Sequence, residues 1–431
     1  MTNIRPVAIA GRQRVHGLAL PCLYQLEILD IAAFLVPVTR FIEISLVGRL
    51  FLTDVLLACI LLLLLPARGK RLRERLPLTF LLLALLWLSG QLAADIVRQA
   101  EFRDYARGWS KILFTMINFS ALYLMLVGNR RRLILYAGGL AAGGLATYLF
   151  NPSVFAEGLP WKFGYGESVT WLMALLATLL AVNGKTGLYA ACTVLASSAV
   201  LNLSMGFRSL GGICFLSSCY LFLLARWGDG LAKGGGLRRI LVVGGALAIS
   251  GALVYAAYGH AARSGWLGEN ELGKFESQLL GKYGLLLGGR GEVLAAGRAI
   301  YDSPLLGHGS WAKNYDYSYF YYELMRRSGY VVEGEVEDGL IPSHSHLLGA
   351  WVEAGLAGAL FWIWVLSLPA RVMFGVYGKV FRLAPLAVLF ALLLIWDVLF
   401  SPYGAAQRFV TPYYVVFMMS CLCVKHPGGV D

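Results

Sequence analysis

Residues 61–75 read LLLLLPARGKRLRER, an apolar run that meets a proline and then a cluster of basic side chains. Arg68, Lys70, Arg71, Arg73 and Arg75 occupy a short loop between apolar stretches near 50–66 and 78–96. Each stretch approaches the ~20 residues needed to cross a hydrocarbon core as a helix, the one open structure that satisfies its own backbone there. The same alternation recurs outward from this loop at Arg130-Arg131-Arg132, Lys185, the Arg226/Lys233/Arg238/Arg239 group, and Arg371/Lys379/Arg382.

Cytoplasmic loops carry the excess of Lys and Arg. Placing every one of these clusters in the cytoplasm predicts an all-α integral membrane protein with spans near 28–47, 50–66, 78–96, 109–128, 133–150, 168–183, 187–204, 209–226, 240–259, 347–369, 383–400 and 410–424. That is about twelve transmembrane helices with both termini inside. Three regions are expected: 1–259 with nine helices, a large partly helical outer loop over 260–345, and 346–431 with the last three. Segments around 97–107, 151–167, 204–208 and 401–408 share the outer side with the loop.

Composition agrees. Hydrophobic residues make up 58% of the 431 residues and charged ones 14%, against roughly 45–50% and 25% in soluble domains. With a mean hydropathy of +0.65, a soluble multidomain protein is excluded. The first twenty-five residues carry Arg5, Arg12 and Arg14 without an apolar core and cleavage site, so the first span is expected to serve as its own insertion signal. The net charge of +12 follows the membrane-orienting loops rather than a nucleic-acid footprint, and it suits anionic lipid headgroups. The seven cysteines fall mostly in the spans and suggest neither a disulfide framework nor a metal site; Cys421 and Cys423 read as small residues of an apolar helix. Gly230 to Gly236 reads as a loop joining spans, without the form of a nucleotide-binding loop. No internal repeat suggests a transporter built from two halves.

Function is sought where basic residues break the orientation rule. Arg98, Arg103, Arg107 and Lys111 flank or enter the fourth span, Arg208 sits in Ser204-Met-Gly-Phe-Arg208-Ser209-Leu-Gly-Gly212, Arg290 lies in the outer loop, and Arg408 precedes the last span. Membrane-edge cations are costly unless partnered, which makes a functional role the default. For Arg98 and Arg103 the plainer reading is snorkelling to headgroups. For Arg408 it is a pair with Asp397, or a helix cap. A guanidinium suits phosphate through a bidentate fork, so several converging outside the membrane read as a diphosphate site.

His344 and His346 lie two apart where the loop meets the tenth span. In an extended segment they point opposite ways, leaving one to face the site. Histidine is the natural general base near neutral pH. A zinc pair is disfavoured by the spacing and by the lack of a third ligand. His308 reads as a turn residue. Glu353 falls two to three turns below His344 and is placed to orient a histidine or an arginine, or to pair with one.

Together these residues resemble the O-antigen ligase and polymerase superfamily of bacterial membrane glycosyltransferases. Gly206-Phe-Arg208-Ser209 is similar to the family's short outer-loop arginine motif. Gly289-Arg290, followed by Pro304-Leu-Leu-Gly307-His-Gly309, is similar to the start of its large loop. His344 with Leu348, Glu353 and Gly355 matches a His-Asn-x-x-Leu, then Glu-x-Gly, ending, with Ser345 where asparagine is usual and His346 as an added imidazole. The resemblance implies a C-type glycosyltransferase fold in the bacterial inner membrane, with its active site on the periplasmic side. It implies a glycan donor on undecaprenyl diphosphate, an acceptor glycan, surrounding membrane lipids, and neither metal nor other cofactor nor nucleic acid. His344 is then the base, and Arg208 and Arg290 stabilise the leaving diphosphate. Arg107, Lys111, His346, Glu353 and Arg408 are assigned to substrate binding.

The acceptor separates a polymerase, which extends a lipid-linked repeat unit, from a ligase, which uses lipid A-core. The stretch from Trp311 to Glu323 is dense in aromatics and is followed by Glu333, Glu335, Glu337 and Asp338. Aromatic faces suit sugar rings, and the acidic run would repel an anionic lipid A-core; both favour the polymerase. The aromatics also fit an interfacial belt. A flippase or transporter of lipid-linked glycan is the alternative of another class.

Overall fold

The computed structural model describes residues 27–45, 48–233, 236–266, 272–273, 275–276, 291–329, 339–375 and 383–423. They form α1 (Ile28–Val38), a hairpin of β1 (Glu43–Ser45) and β2 (Arg49–Phe51), α2 (Leu52–Arg68), α3 (Arg75–Arg98), α4 (Phe102–Leu126) and α5 (Arg130–Phe150). A short α6 (Val154–Gly158) leads to α7 (Gly166–Leu180), α8 (Gly184–Ser204), α9 (Arg208–Lys233) and α10 (Gly236–Arg263). The remainder comprises α11 (Glu292–Asp302), α12 (Tyr315–Arg327), α13 (His346–Gly375), α14 (Ala384–Phe400) and α15 (Gln407–Leu422).

Eight helical stretches among the described residues are long and apolar enough to cross a membrane. The protein is an all-α membrane protein. One of the eight, Trp161–Ser204, holds both α7 and α8, joined by a 3-10 turn over Ala181–Asn183 and by Gly184 in the left-handed region. The apolar α14 is shorter, at 17 residues, and the buried α15 has 16. The basic run Gly69–Arg73 forms a tight 3-10 turn between α2 and α3, so the stretch that opened the sequence reading is a helix hairpin.

Some boundaries differ from expectation. The first span was placed over 28–47, but α1 ends at Val38, one residue after Pro37, and a 3-10 turn and the β hairpin follow. Proline cannot continue the ladder of hydrogen bonds. This short segment nonetheless runs the length of α5. Glu27 and Asp30 pair with Arg132 at the start of α5, Arg131 joins Asp30 at 3.3 Å, and Phe41 meets Phe150 at its end, ring centroids 5.4 Å apart. Helix α9 runs through Lys233, and α10 continues past 259 to Arg263. Much of the Gly230–Gly236 segment is thus helical rather than loop.

The core is a continuous layer of aromatic and aliphatic side chains centred on α15, where Val415, Val416, Phe417, Met418 and Met419 are fully buried. Helices α3 and α13 are locked by Trp87 stacked on Phe361 at 5.0 Å and in edge contact with Trp362 at 5.6 Å. Arg408, at the start of α15, bonds Asp54 Oδ2 and the Arg49 carbonyl at 2.7 Å each, and Asn118 ties Asp54 to the Arg408 carbonyl. This sealed node joins α2, α4, α15 and the hairpin. Arg408 therefore pairs with Asp54, not with Asp397, because the hairpin brings Asp54 under the start of α15.

Candidate functional site

The site is built on a broken helix. Within α13, Gly355 adopts φ 61° and ψ −151°, a region essentially open only to glycine. The break frees the carbonyls of Val352 and Glu353, which need partners if they are buried. The segment after Pro304 supplies them: His308 N–H donates to Val352 O at 2.7 Å, and Gly309 N–H to Glu353 O at 3.0 Å. In return, Leu356 N–H donates to Leu305 O at 3.2 Å. A Cβ on Gly355 would lie 2.1 Å from Leu305 O, and one on Gly307 would lie 2.6 Å from Gly355 N. The two glycine motifs singled out in the sequence are thus the two halves of one backbone crossing.

Helices α3 and α4 grip this crossing. The Arg98 guanidinium donates to Gly307 O at 3.1 and 3.3 Å and to Ser303 Oγ at 3.0 Å. It is a structural clamp rather than a headgroup anchor. The buried carboxylate of Asp95 accepts from Ser310 N–H (2.5 Å), Ser310 Oγ (2.7 Å) and Trp109 Nε1 (2.7 Å), while Gln91 Nε2 donates to Ser310 Oγ at 2.8 Å. Lys313 pairs with Asp104 at 2.8 Å. Asp95 and Gln91 were missed from sequence. An ionisable residue inside an apolar span was the signal that could have found Asp95.

Beside the crossing lies a cavity of about 300 Å³, lined among others by Lys111, Trp311, His344, His346, Glu353 and Tyr403. Lys111 Nζ meets Glu353 Oε2 at 2.6 Å, both side chains largely buried. Glu353 thus pairs with a lysine, where a histidine or an arginine had been expected. Arg107, one turn before Lys111, holds its guanidinium carbon 5.2 Å from the Trp311 ring centroid. Two cations of α4 therefore approach one wall.

The two histidines differ sharply. The His344 side chain is 57% exposed at the rim, its Nδ1 3.6 Å from Glu292 Oε1 at the start of α11. His346 is 1% exposed and caged by Trp362 and Tyr403, with ring centroids 4.9 and 4.8 Å away. Its Nδ1 lies 2.6 Å from the Ser401 carbonyl, which can only accept, so Nδ1 carries the proton. Its Nε2 is buried and has no hydrogen-bond partner among the described residues. The Tyr403 hydroxyl shares a 2.6 Å hydrogen bond with Thr115, and burial pushes its pKa above the ordinary tyrosine value. Ser345 Oγ accepts from Leu348 N–H at 3.1 Å and donates to Val398 O at 2.8 Å. It is the N-cap of α13, a role that serine and asparagine fill about equally well. His308 Nε2 bonds the Ala299 carbonyl at 2.8 Å, in keeping with its turn reading.

Not all the expected residues gather here. Lys111, His344, His346 and Glu353 line the cavity, and Arg107 backs its Trp311 wall. Arg208, in the first turn of α9, is not among the lining residues and stacks on Tyr258 at 4.7 Å. Arg408 is held in its buried pair with Asp54, away from the lining. Arg290 lies outside the described residues, as do Glu333, Glu335, Glu337 and Asp338.

Fold and site together define an all-α membrane protein with a cavity that holds several ionisable side chains beside a loop-crossed helix break. Compared with known proteins, the chain matches no family model, no curated protein and no solved structure.

Proposed function

We propose that the protein is a membrane glycosyltransferase. It takes a glycan from undecaprenyl diphosphate, joins it to a sugar hydroxyl and so polymerises repeat units of a cell-surface polysaccharide. The observation that carries this reading is the cavity itself, with Lys111 on one wall, Arg107 behind Trp311 and the His344 imidazole on the rim. The acceptor hydroxyl is a weak nucleophile, and proton removal by His344 as it attacks contributes on the order of 10²–10⁴ in rate. The new bond forms between the acceptor oxygen and the anomeric carbon. The bond from that carbon to the diphosphate oxygen breaks, and its electron pair leaves with the diphosphate. Lys111 and Arg107 stabilise that charge, with Arg208 and Arg290 as the arginines that the resemblance assigns to it. Attack from the face opposite the leaving group inverts the anomeric centre.

In this reading the protein resides in the bacterial inner membrane, crosses it about twelve times with both termini in the cytoplasm, and opens its cavity to the periplasm. The test uses purified protein in nanodiscs with a synthetic undecaprenyl diphosphate repeat unit and no lipid A-core. A ladder of repeats that disappears in His344→Ala is the expected result. Product only after lipid A-core is added would make the protein a ligase. A ladder unaffected by His344→Ala would remove the assigned base, and no product in either arm would favour a carrier of lipid-linked glycan.

A further inference from the structure

Beyond the cavity, the wall that begins at Trp311 continues as a row of exposed rings. Trp311 lines the cavity, is 39% exposed and has φ 51°. A bulky residue in the left-handed region is an outlier, and such strain clusters at functional sites. Asn314 caps α12 through the Asp316 N–H at 2.9 Å, so Tyr315 and Tyr319 stand one turn apart on the same face. They are 50% and 62% exposed, with ring centroids 6.4 Å apart and planes 33° from parallel. Glu323 continues the stripe and pairs with Arg327 at 2.7 Å. The opposite face of α12 supplies the core with Tyr317, Ser318 and Met325, which leaves Tyr315 and Tyr319 outside that core.

The row is continuous with the cavity. A Cβ on Gly339 would lie 2.9 Å from the Tyr315 ring, and Asn314 N–H donates to Gly339 O at 2.7 Å. The residues that follow, Leu340 to Ser343, line the cavity. One short two-strand contact, Lys313 against Leu340, thus holds both the cavity wall and the base of the row.

We propose that Trp311, Tyr315 and Tyr319 form a track that holds an extended oligosaccharide, one sugar against each ring, as it passes the mouth of the cavity. This inference rests on the glycan-transfer reading above. The two tyrosine rings, tilted 33° to each other, offer apolar faces to the C–H faces of sugars, while their hydroxyls and the carboxylates of Asp316 and Glu323 meet sugar hydroxyls. Those same carboxylates disfavour contact with anionic lipid headgroups, which repel them. The consequence is retention: a chain long enough to cover the rings stays bound between additions, and the product grows longer.

The test replaces the chromosomal gene in its own host with variants and reads surface polysaccharide length on a gel. Deletion of the gene must first abolish the ladder and the wild-type copy restore it; if deletion leaves the ladder intact, the glycan-transfer reading itself fails. The double variant Tyr315→Phe/Tyr319→Phe, which keeps the rings, is expected to retain long chains. Tyr315→Leu/Tyr319→Leu keeps apolar character but removes both stacking contacts. It is expected to weaken retention by about tenfold and shift the ladder to shorter chains. Leucine variants with wild-type chain lengths would overturn the track and show an apolar membrane-facing surface instead. Leucine variants that are present in the membrane yet make no ladder would also overturn it, by placing the rings in transfer itself.

Discussion

Alanine at position 355 would bring its Cβ to 2.1 Å from the Leu305 carbonyl oxygen, at a φ of 61°. Neither the crossing segment nor the break can move aside without losing the three hydrogen bonds that join them. Gly355→Ala is therefore expected to destabilise the protein by roughly 3 kcal/mol or more, measured by denaturant unfolding in mixed micelles. The Lys111–Glu353 pair is a second residue-scale test. Each of Lys111→Met and Glu353→Leu leaves a largely buried polar group short of its partner, at a cost of about 1–3 kcal/mol. The double variant should cost less than the sum by about 1 kcal/mol; strict additivity in the same unfolding assay would show that the two side chains do not couple. At this scale the sequence was only partly legible. Lys111, His344 and Glu353 were visible because charge in an apolar context is a local property. That Arg98 would clamp Gly307, 209 positions away, or that Asp54 rather than Asp397 would take Arg408, is set by tertiary approach and leaves no local mark.

Among the elements, α13 carries most of the site: His346 at its start, Glu353 before its break, and Ser345 as its cap. Ser345→Ala removes the side-chain acceptor for Leu348 N–H and is expected to cost about 1 kcal/mol, whereas Ser345→Asn should recover most of it. The comparison is made by thermal unfolding in detergent, and equal loss in both variants would show that the contact with Val398 matters more than the cap. Helices were legible wherever an apolar run met a basic loop, because hydropathy and charge asymmetry are read along the chain itself. The first span was misplaced beyond Val38 because Pro37 and the following hairpin end the helix within a still apolar sequence. The glycines of 307, 309 and 355 stood out as motifs, but nothing in their spacing told that they meet each other.

Across the whole molecule, the proposed sidedness is tested by a labelling experiment. In a background without native cysteines, Trp311→Cys is expected to react with a membrane-impermeant maleimide added to intact spheroplasts, and Lys70→Cys only after lysis. The reverse pattern would invert the proposed topology while leaving the fold unchanged. The two positions lie on the cavity wall and in the α2–α3 turn, so labelling reports which side each faces.

The crossing at the helix break also has a meaning in time. During synthesis, residues 305–309 leave the ribosome before α13 exists, and α13 enters the bilayer as a newborn apolar segment. While it is alone there, an unbroken helix satisfies its backbone better than an interrupted one. The interruption at Gly355 becomes favourable only once the earlier segment is at hand to take up the Val352 and Glu353 carbonyls. For α13, insertion as an uninterrupted rod is therefore expected to come first, with the cavity completed afterwards by capture of a strap made earlier.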